Sequence, residues 1–149
     1  MTNPDCIFCK IVAGDIPSVK VWEDEEFIAI LDINPNMEGL TLVIPKGHYD
    51  SDPTDMPGEI YTKLFLATKL VAKKIERGLG VQRVSIVIEG MGINHVHVKL
   101  YPLHGLDEKF TETWAADRIY FEKYEGYIST QLGPEKTQIE LEKVADKIR

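Results

Sequence analysis

Residues 94–100, Asn94-His95-Val96-His97-Val98-Lys99-Leu100, alternate without a break between polar and apolar side chains, and Tyr101 continues the pattern. Period-two alternation marks a strand with one face packed on a core and the other turned to a site or to water. It puts His95, His97, Lys99 and Tyr101 on one face and Val96, Val98 and Leu100 on the other, and Pro102 ends the run. Successive side chains on one face stand roughly 7 Å apart at a rise of about 3.3 Å per residue. Two imidazoles and an ammonium so spaced can bind phosphate, coordinate a metal, or serve in acid–base and nucleophilic chemistry. A solvated basic face is the plain alternative.

Outward from this strand the chain is well punctuated. Val81–Ile88 reads as its neighbour, joined to it through the glycine-containing turn Glu89-Gly90-Met91-Gly92. From Pro57 to Arg77 the apolar residues Ile60, Leu64, Ala67, Val71 and Ile75 recur at helical spacing, which predicts the main helix with Gly78 closing it. Upstream, Val19–Trp22, Phe27–Leu31 and Leu40–Ile44 are strand-like runs separated by an acidic turn and by Asn34-Pro35-Asn36. The segment Cys6 to Asp15 suits a short helix or knuckle stopped by Pro17, and residues 50–55 a loop with N-cap candidates. The order β-β-β-α-β-β predicts an α+β fold with a mostly antiparallel five-stranded sheet and one main helix. Residues 1–105 form that domain. Residues 106–149 are a C-terminal helical extension expected to pack on it, aromatic-rich over 107–128 (Phe110, Trp114, Tyr120, Phe121, Tyr124, Tyr127) and ending in a helix striped by Leu141, Val144 and Ile148. The aromatics can cover a site, extend its pocket or pack a dimer, and packing is expected, since aromatics near helical spacing are usually buried.

Composition narrows the function classes. The 149 residues, 44% hydrophobic and 28% charged, suffice for a sizeable core and exclude disorder as the main state. With 17 Lys+Arg against 24 Asp+Glu the net charge is −7, which argues against a nucleic-acid binder held by phosphate neutralisation. No basic-then-apolar leader opens the sequence, and no apolar run approaches the roughly 20 residues that cross a bilayer. A cytoplasmic protein with no membrane partner is expected.

Two further features carry chemistry. Cys6-Ile7-Phe8-Cys9 is a Cys-x-x-Cys, a pattern shared by zinc knuckles, redox dithiols and plain buried cysteines. Cys6, Cys9, His48 and one strand histidine would complete a two-thiolate, two-imidazole set of the kind that closes around structural zinc. No strand precedes Cys6, as a thioredoxin-like redox pair would require. Asp32, at the end of an apolar strand, can accept from both hydroxyls of a ribose or simply cap the turn that follows.

Taken together, CIFCKIVAGDIPSVKVWEDEEFIAILDINP, TLVIPKGH and HVHVKLYP resemble, in order and spacing over about residues 5–104, the histidine triad nucleotide-binding proteins. The resemblance implies the corresponding fold and a nucleotide hydrolase or nucleotidyl transferase. It would act on the α-phosphate of a purine nucleotide conjugate, such as a nucleoside phosphoramidate or dinucleoside polyphosphate. His97 matches the nucleophile that forms a nucleotidyl-histidine intermediate. Cys6, Cys9, His48 and His95 match the zinc ligands, so a structural Zn2+ is implied. Asp32 matches the ribose-binding carboxylate, and Phe8, Ile11 and Ile30 match positions around the base. A homodimer through the main helix and the fourth strand is implied as well. Two departures stand out: Lys99 replaces the third motif histidine, and only Gly90–Asn94 stands where many members carry a longer phosphate-holding loop. Phosphate binding is then expected to fall to Lys99, Asn94 and backbone amides. The alternative is a nucleotide-binding or interaction module of the same fold with weak or no turnover.

Overall fold

The computed structural model describes residues 3–106, 117–130 and 133–149, and the chain divides into two compact units, 1–108 and 109–149. The first unit holds a five-stranded, wholly antiparallel sheet in the order β1-β2-β3-β5-β4. Its strands are β1 (Lys20–Glu23), β2 (Phe27–Leu31), β3 (Thr41–Pro45), β4 (Val84–Val87) and β5 (Val98–Pro102). Helix α1 (Ile7–Ala13) covers one face and helix α2 (Gly58–Leu79) the other.

Strand alternation sorts the core into two clusters. Phe27, Ala29, Val43, Val96, Val98 and Leu100 meet the stripe Leu64, Ala67, Val71 and Ile75 of α2. On the reverse face, Ile28, Ile30, Leu42 and Ile44 meet Phe8 and Ile11 of α1, with Cys6 and Cys9 in the same cluster. A sheet buried on both faces explains why β2 and β3 read as continuous apolar runs. Burying a side chain such as Leu64 or Ile28 completely contributes about 1.5–3 kcal/mol each. The sheet therefore stands between two packed layers, and the α1 layer is the one that carries the thiols.

The structure corrects several boundaries. Helix α2 runs through Gly78, whose built Cβ position is open space, and ends at Gly80 in the left-handed region (φ 65°). Helix α1 ends at Ala13 on a left-handed Gly14, before Pro17 is reached. The ladder of β5 begins at Val98 and not at His95, because the His95 N–H donates to the Ile93 carbonyl (2.8 Å) and the Val96 N–H to the Tyr49 carbonyl (3.0 Å). The side-chain alternation nevertheless extends back through both residues. Likewise β4 is confined to Val84–Val87, and Asp52 caps the short 3-10 turn Pro53–Asp55 by accepting from the Thr54 N–H (2.8 Å).

In the second unit, α3 (Gln138–Ile148) is the helix expected at the C-terminus, with Thr137 and Glu140 bonded reciprocally at its start. Of the aromatics expected to pack, Tyr120, Tyr124 and Tyr127 are at least half exposed in the single chain, and Phe121 is exposed too. Phe110 and Trp114 lie outside the described residues.

Candidate metal centre and adjoining active site

The two cysteines reach the site because a three-residue offset on a helix puts side chains on one face. Cys6 is the residue just ahead of α1 and Cys9 sits in its first turn, both buried. His48 follows β3 on the loop Lys46-Gly47-His48, pinned by the Lys46 N–H donating to the Glu26 carbonyl (2.7 Å). His95 is fully buried just before β5. The ligand atoms of these four residues all lie within 4.8 Å of one another. His48 Nδ1 and His95 Nδ1 are 3.3 Å apart, Cys6 Sγ and His95 Nδ1 3.4 Å, Cys9 Sγ and His48 Nδ1 3.5 Å, and Cys9 Sγ and His95 Nδ1 3.7 Å.

These separations match a tetrahedral ion. Bonds of about 2.3 Å to sulfur and about 2.05 Å to nitrogen require roughly 3.3 Å between the nitrogens and roughly 3.6 Å between sulfur and nitrogen. The surrounding groups suit it as well. His95 Nε2–H donates to the Pro45 carbonyl (2.9 Å), which leaves Nδ1 as the lone-pair nitrogen facing the cluster. The Asn3 N–H donates to Cys9 Sγ at 3.4 Å. Burial pushes the Cys9 thiol up, against the Asn3 N–H, and the adjacent Cys6 raises it further. Two crowded sulfurs ionise together when a cation shares the space. Burial also pushes His95 down, with His48 and His97 adding to the shift, so it stays the neutral imidazole a metal needs. The four side chains can hold a metal ion.

Next to this cluster, His97 is 6% exposed, and its Nδ1–H donates to the His95 carbonyl at 2.8 Å. That bond fixes the tautomer and leaves Nε2 as the basic nitrogen. Burial pushes His97 down, opposed by the His95 carbonyl, and the Lys99 ammonium adds to the fall, so the lone pair is available at neutral pH. The Phe8 ring packs edge-on against both histidines, with centroids 5.8 Å from His95 and 5.2 Å from His97.

The remaining residues singled out by sequence fall mostly on this same face. Phe8, Ile11 and Ile30 are buried together in the α1 layer. Lys99 pairs with Leu42 of that layer in the β3–β5 register, is half-buried, and has no carboxylate within ion-pair distance among the described residues. Asp32 follows β2, and its Oδ1 accepts from the Asn34 N–H (2.8 Å), closing the turn. Its charge also reaches His97, favouring the protonated imidazole. Both roles considered for Asp32 are therefore geometrically open. Asn94 is turned away to the loop after β3, with its Oδ1 accepting from the Ser51 N–H and its Nδ2 donating to Asp50, both at 2.9 Å. His104 stands apart from the cluster, donating from Nε2 to the Glu38 carbonyl (2.8 Å).

Three participants were not singled out from the sequence: the Pro45 carbonyl, the Asn3 N–H and Asp50, whose Oδ1 is 3.9 Å from His48 Nε2. Backbone groups leave no residue-type signal, and Asp50 read only as part of a loop.

The family model for the HIT domain matches residues 13–105. The chain belongs to the HIT domain family. Among solved structures, SMU.412c from Streptococcus mutans UA159 is 33% identical with a TM-score of 0.72, the match covering 99% of this chain and 85% of that one. A Zn-bound histidine triad family protein from Mycobacterium smegmatis is 34% identical with a TM-score of 0.64, over 73% and 83% of the two chains. Among curated relatives, the adenosine 5′-monophosphoramidase HNT1 of Saccharomyces cerevisiae is 34% identical over 119 residues, 79% of this chain and 75% of the relative.

Proposed function

We propose that this HIT protein is a cytoplasmic nucleotide hydrolase or nucleotidyl transferase in which His97 attacks the α-phosphorus of a purine nucleotide conjugate. The observation that carries the reading is the His97 tautomer: Nδ1–H is held by the His95 carbonyl at 2.8 Å and Nε2 is left as a desolvated lone pair. The relationship to a monophosphoramidase supports a phosphoramidate as the first substrate to try.

The step balances simply. His97 Nε2 forms a P–N bond, the bond from phosphorus to the leaving group breaks with its electron pair, and the departing amine or phosphate takes up a proton. Water then cleaves the nucleotidyl-histidine, returning His97 and releasing the nucleoside monophosphate. Asp32 would receive the ribose hydroxyls through the oxygen not spent on Asn34, and Phe8, Ile11 and Ile30 would supply the apolar side of the base pocket. Lys99 stands two residues beyond His97 where the family motif has a third histidine, and would meet the phosphate as a point charge.

Cys6, Cys9, His48 and His95 would hold one Zn2+. With four protein ligands the site is closed, so the ion supplies folding energy and a fixed position for His95 rather than chemistry. We also propose a homodimer through α2 and the free edge of β4. Tyr61, Phe65, Leu66 and Leu70 of α2 and Ile86 of β4 are exposed apolar side chains that such pairing would cover. The second unit is proposed to pack on the first.

Two observations favour a second reading, a nucleotide-binding module with weak or no turnover. Lys99 cannot offer an imidazole's two-sided hydrogen bonding, and the Gly90–Asn94 loop is short. The deciding experiment is AMP release from adenosine 5′-phosphoramidate by wild type and His97→Ala, with AMP affinity measured in parallel. Turnover by the wild type alone supports the enzyme. AMP binding with no turnover in either protein supports the module, and equal turnover in both removes His97 as nucleophile.

A further inference from the structure

The two histidines of the metal set come from segments 47 positions apart, and the ladder of the sheet does not join them. What does join them is a cluster of ties between residues 49–51 and residues 90–96. The Val96 N–H donates to the Tyr49 carbonyl at 3.0 Å. The Asn94 amide spans the gap at both ends, accepting from the Ser51 N–H and donating to Asp50 Oδ1, each at 2.9 Å. Gly90 lies close enough to Ser51 that a built Cβ would stand 3.1 Å from its carbonyl oxygen.

We infer that Asn94 is a positioning residue of the metal centre, whose side-chain amide clamps the loop carrying His48 against the segment carrying His95. The inference rests on the metal reading given above and adds to it a residue that touches no ligand atom. Asn94 is the immediate neighbour of His95, and the residues it grips, Asp50 and Ser51, lie two and three positions beyond His48. On its other side His48 is anchored by Lys46 to Glu26. With both flanks tied, His48 Nδ1 is held 3.3 Å from His95 Nδ1, with the two rings edge-to-face and 4.9 Å apart. Partners outside the ligand shell that orient ligands in this way commonly change metal affinity by 10–100-fold when lost. Asn94 is solvent-exposed, which puts the expected effect at the lower end of that range.

The test is the transfer of zinc from the full-length protein to a chromophoric chelator, for wild type, Asn94→Asp, Asp50→Asn, and the double variant Asn94→Asp with Asp50→Asn. Asn94→Asp keeps an acceptor for Ser51 but sets two carboxylates against each other. The double substitution restores an amide-to-carboxylate bond with the partners exchanged, and recovery is read relative to Asp50→Asn alone, which carries the loss of the carboxylate 3.9 Å from His48 Nε2. The expected result is one zinc per wild-type chain, retention weakened about tenfold in Asn94→Asp, and recovery in the double variant. Urea midpoints of the metal-free proteins should differ only slightly, because Asn94 and Asp50 are exposed and a like-charge pair there costs little. Unchanged zinc retention in Asn94→Asp overturns the inference while leaving the metal reading intact. So does failure of the double variant to recover, or a raised KM for the phosphoramidate with zinc retention unchanged, which would assign Asn94 to the substrate. A wild type that takes up no zinc overturns both.

Discussion

The carbonyl oxygen of His95 lies 2.8 Å from Nδ1 of His97, so one residue offers its ring to the metal cluster and its backbone to the nitrogen that fixes the tautomer of its neighbour. The metal set and the candidate nucleophile thus share a single stretch of chain just before β5. Anything that displaces His95 moves the acceptor on which the His97 tautomer depends.

Removing the ion should therefore lower stability and turnover together. Zinc present at 100 times its dissociation constant adds about 2.7 kcal/mol to the folded state. For a domain of this size each kcal/mol is about 4–8 °C in Tm. Chelation is expected to lower Tm by roughly 10–20 °C on those figures, and AMP release should fall in step and return with added zinc. Calorimetry with and without chelator checks it; a Tm that does not move would mean the four side chains hold no ion.

Lys99 is expected to serve the phosphate. A hydrogen bond to a charged group contributes about 1.5–3 kcal/mol, so Lys99→Gln should lower kcat/KM for the phosphoramidate roughly 10–100-fold. Unfolding should be little changed, because the ammonium makes no ion pair among the described residues. Steady-state kinetics at two salt concentrations give the readout, and an unaltered kcat/KM would place Lys99 outside the phosphate site.

Thr68 offers a test of packing remote from the chemistry. It is fully buried on α2, and its Oγ1 has no hydrogen-bond partner among the described residues. An unsatisfied buried hydroxyl costs about 1–3 kcal/mol, and valine fills nearly the same volume without it. Thr68→Val should raise the urea midpoint by an amount corresponding to about 1 kcal/mol, with the slope of the transition unchanged. A lowered midpoint would reveal a partner for the hydroxyl in solution.

How far the sequence carried the fold depends on where each signal resides. The α2 stripe and the alternation from His95 to Tyr101 were legible because side-chain periodicity is itself the packing pattern. The ladder start at Val98 was not, since it turns on the Val96 N–H finding Tyr49, a pairing set by tertiary approach. Gly78 misled for a related reason: a glycine in open space breaks nothing, whereas Gly80 adopts the left-handed angle that ends the helix. At the site, spacing alone left the Cys-x-x-Cys between zinc, redox and burial, and only the measured separations among four side chains fit a tetrahedral ion. The place of Asn94 beside His95 is legible in the sequence, whereas its partners at 50 and 51 are set by tertiary approach.

Gly90 provides the sharpest check on that loop-to-loop contact. It combines φ 72° with a built Cβ 3.1 Å from the Ser51 carbonyl oxygen, a backbone atom that cannot rotate away. Gly105 has φ 75° with nothing among the described residues within 4 Å of an added Cβ, and so serves as the reference for the conformational cost. A left-handed angle costs a side-chain-bearing residue about 1–2 kcal/mol, so both Gly90→Ala and Gly105→Ala should lower the urea midpoint by that order. Only Gly90→Ala should also speed the loss of zinc, because only there does the added methyl push residues 49–51 away from the His95 segment. Equal zinc loss from the two variants would show that His48 is held from the Lys46 side of its loop instead.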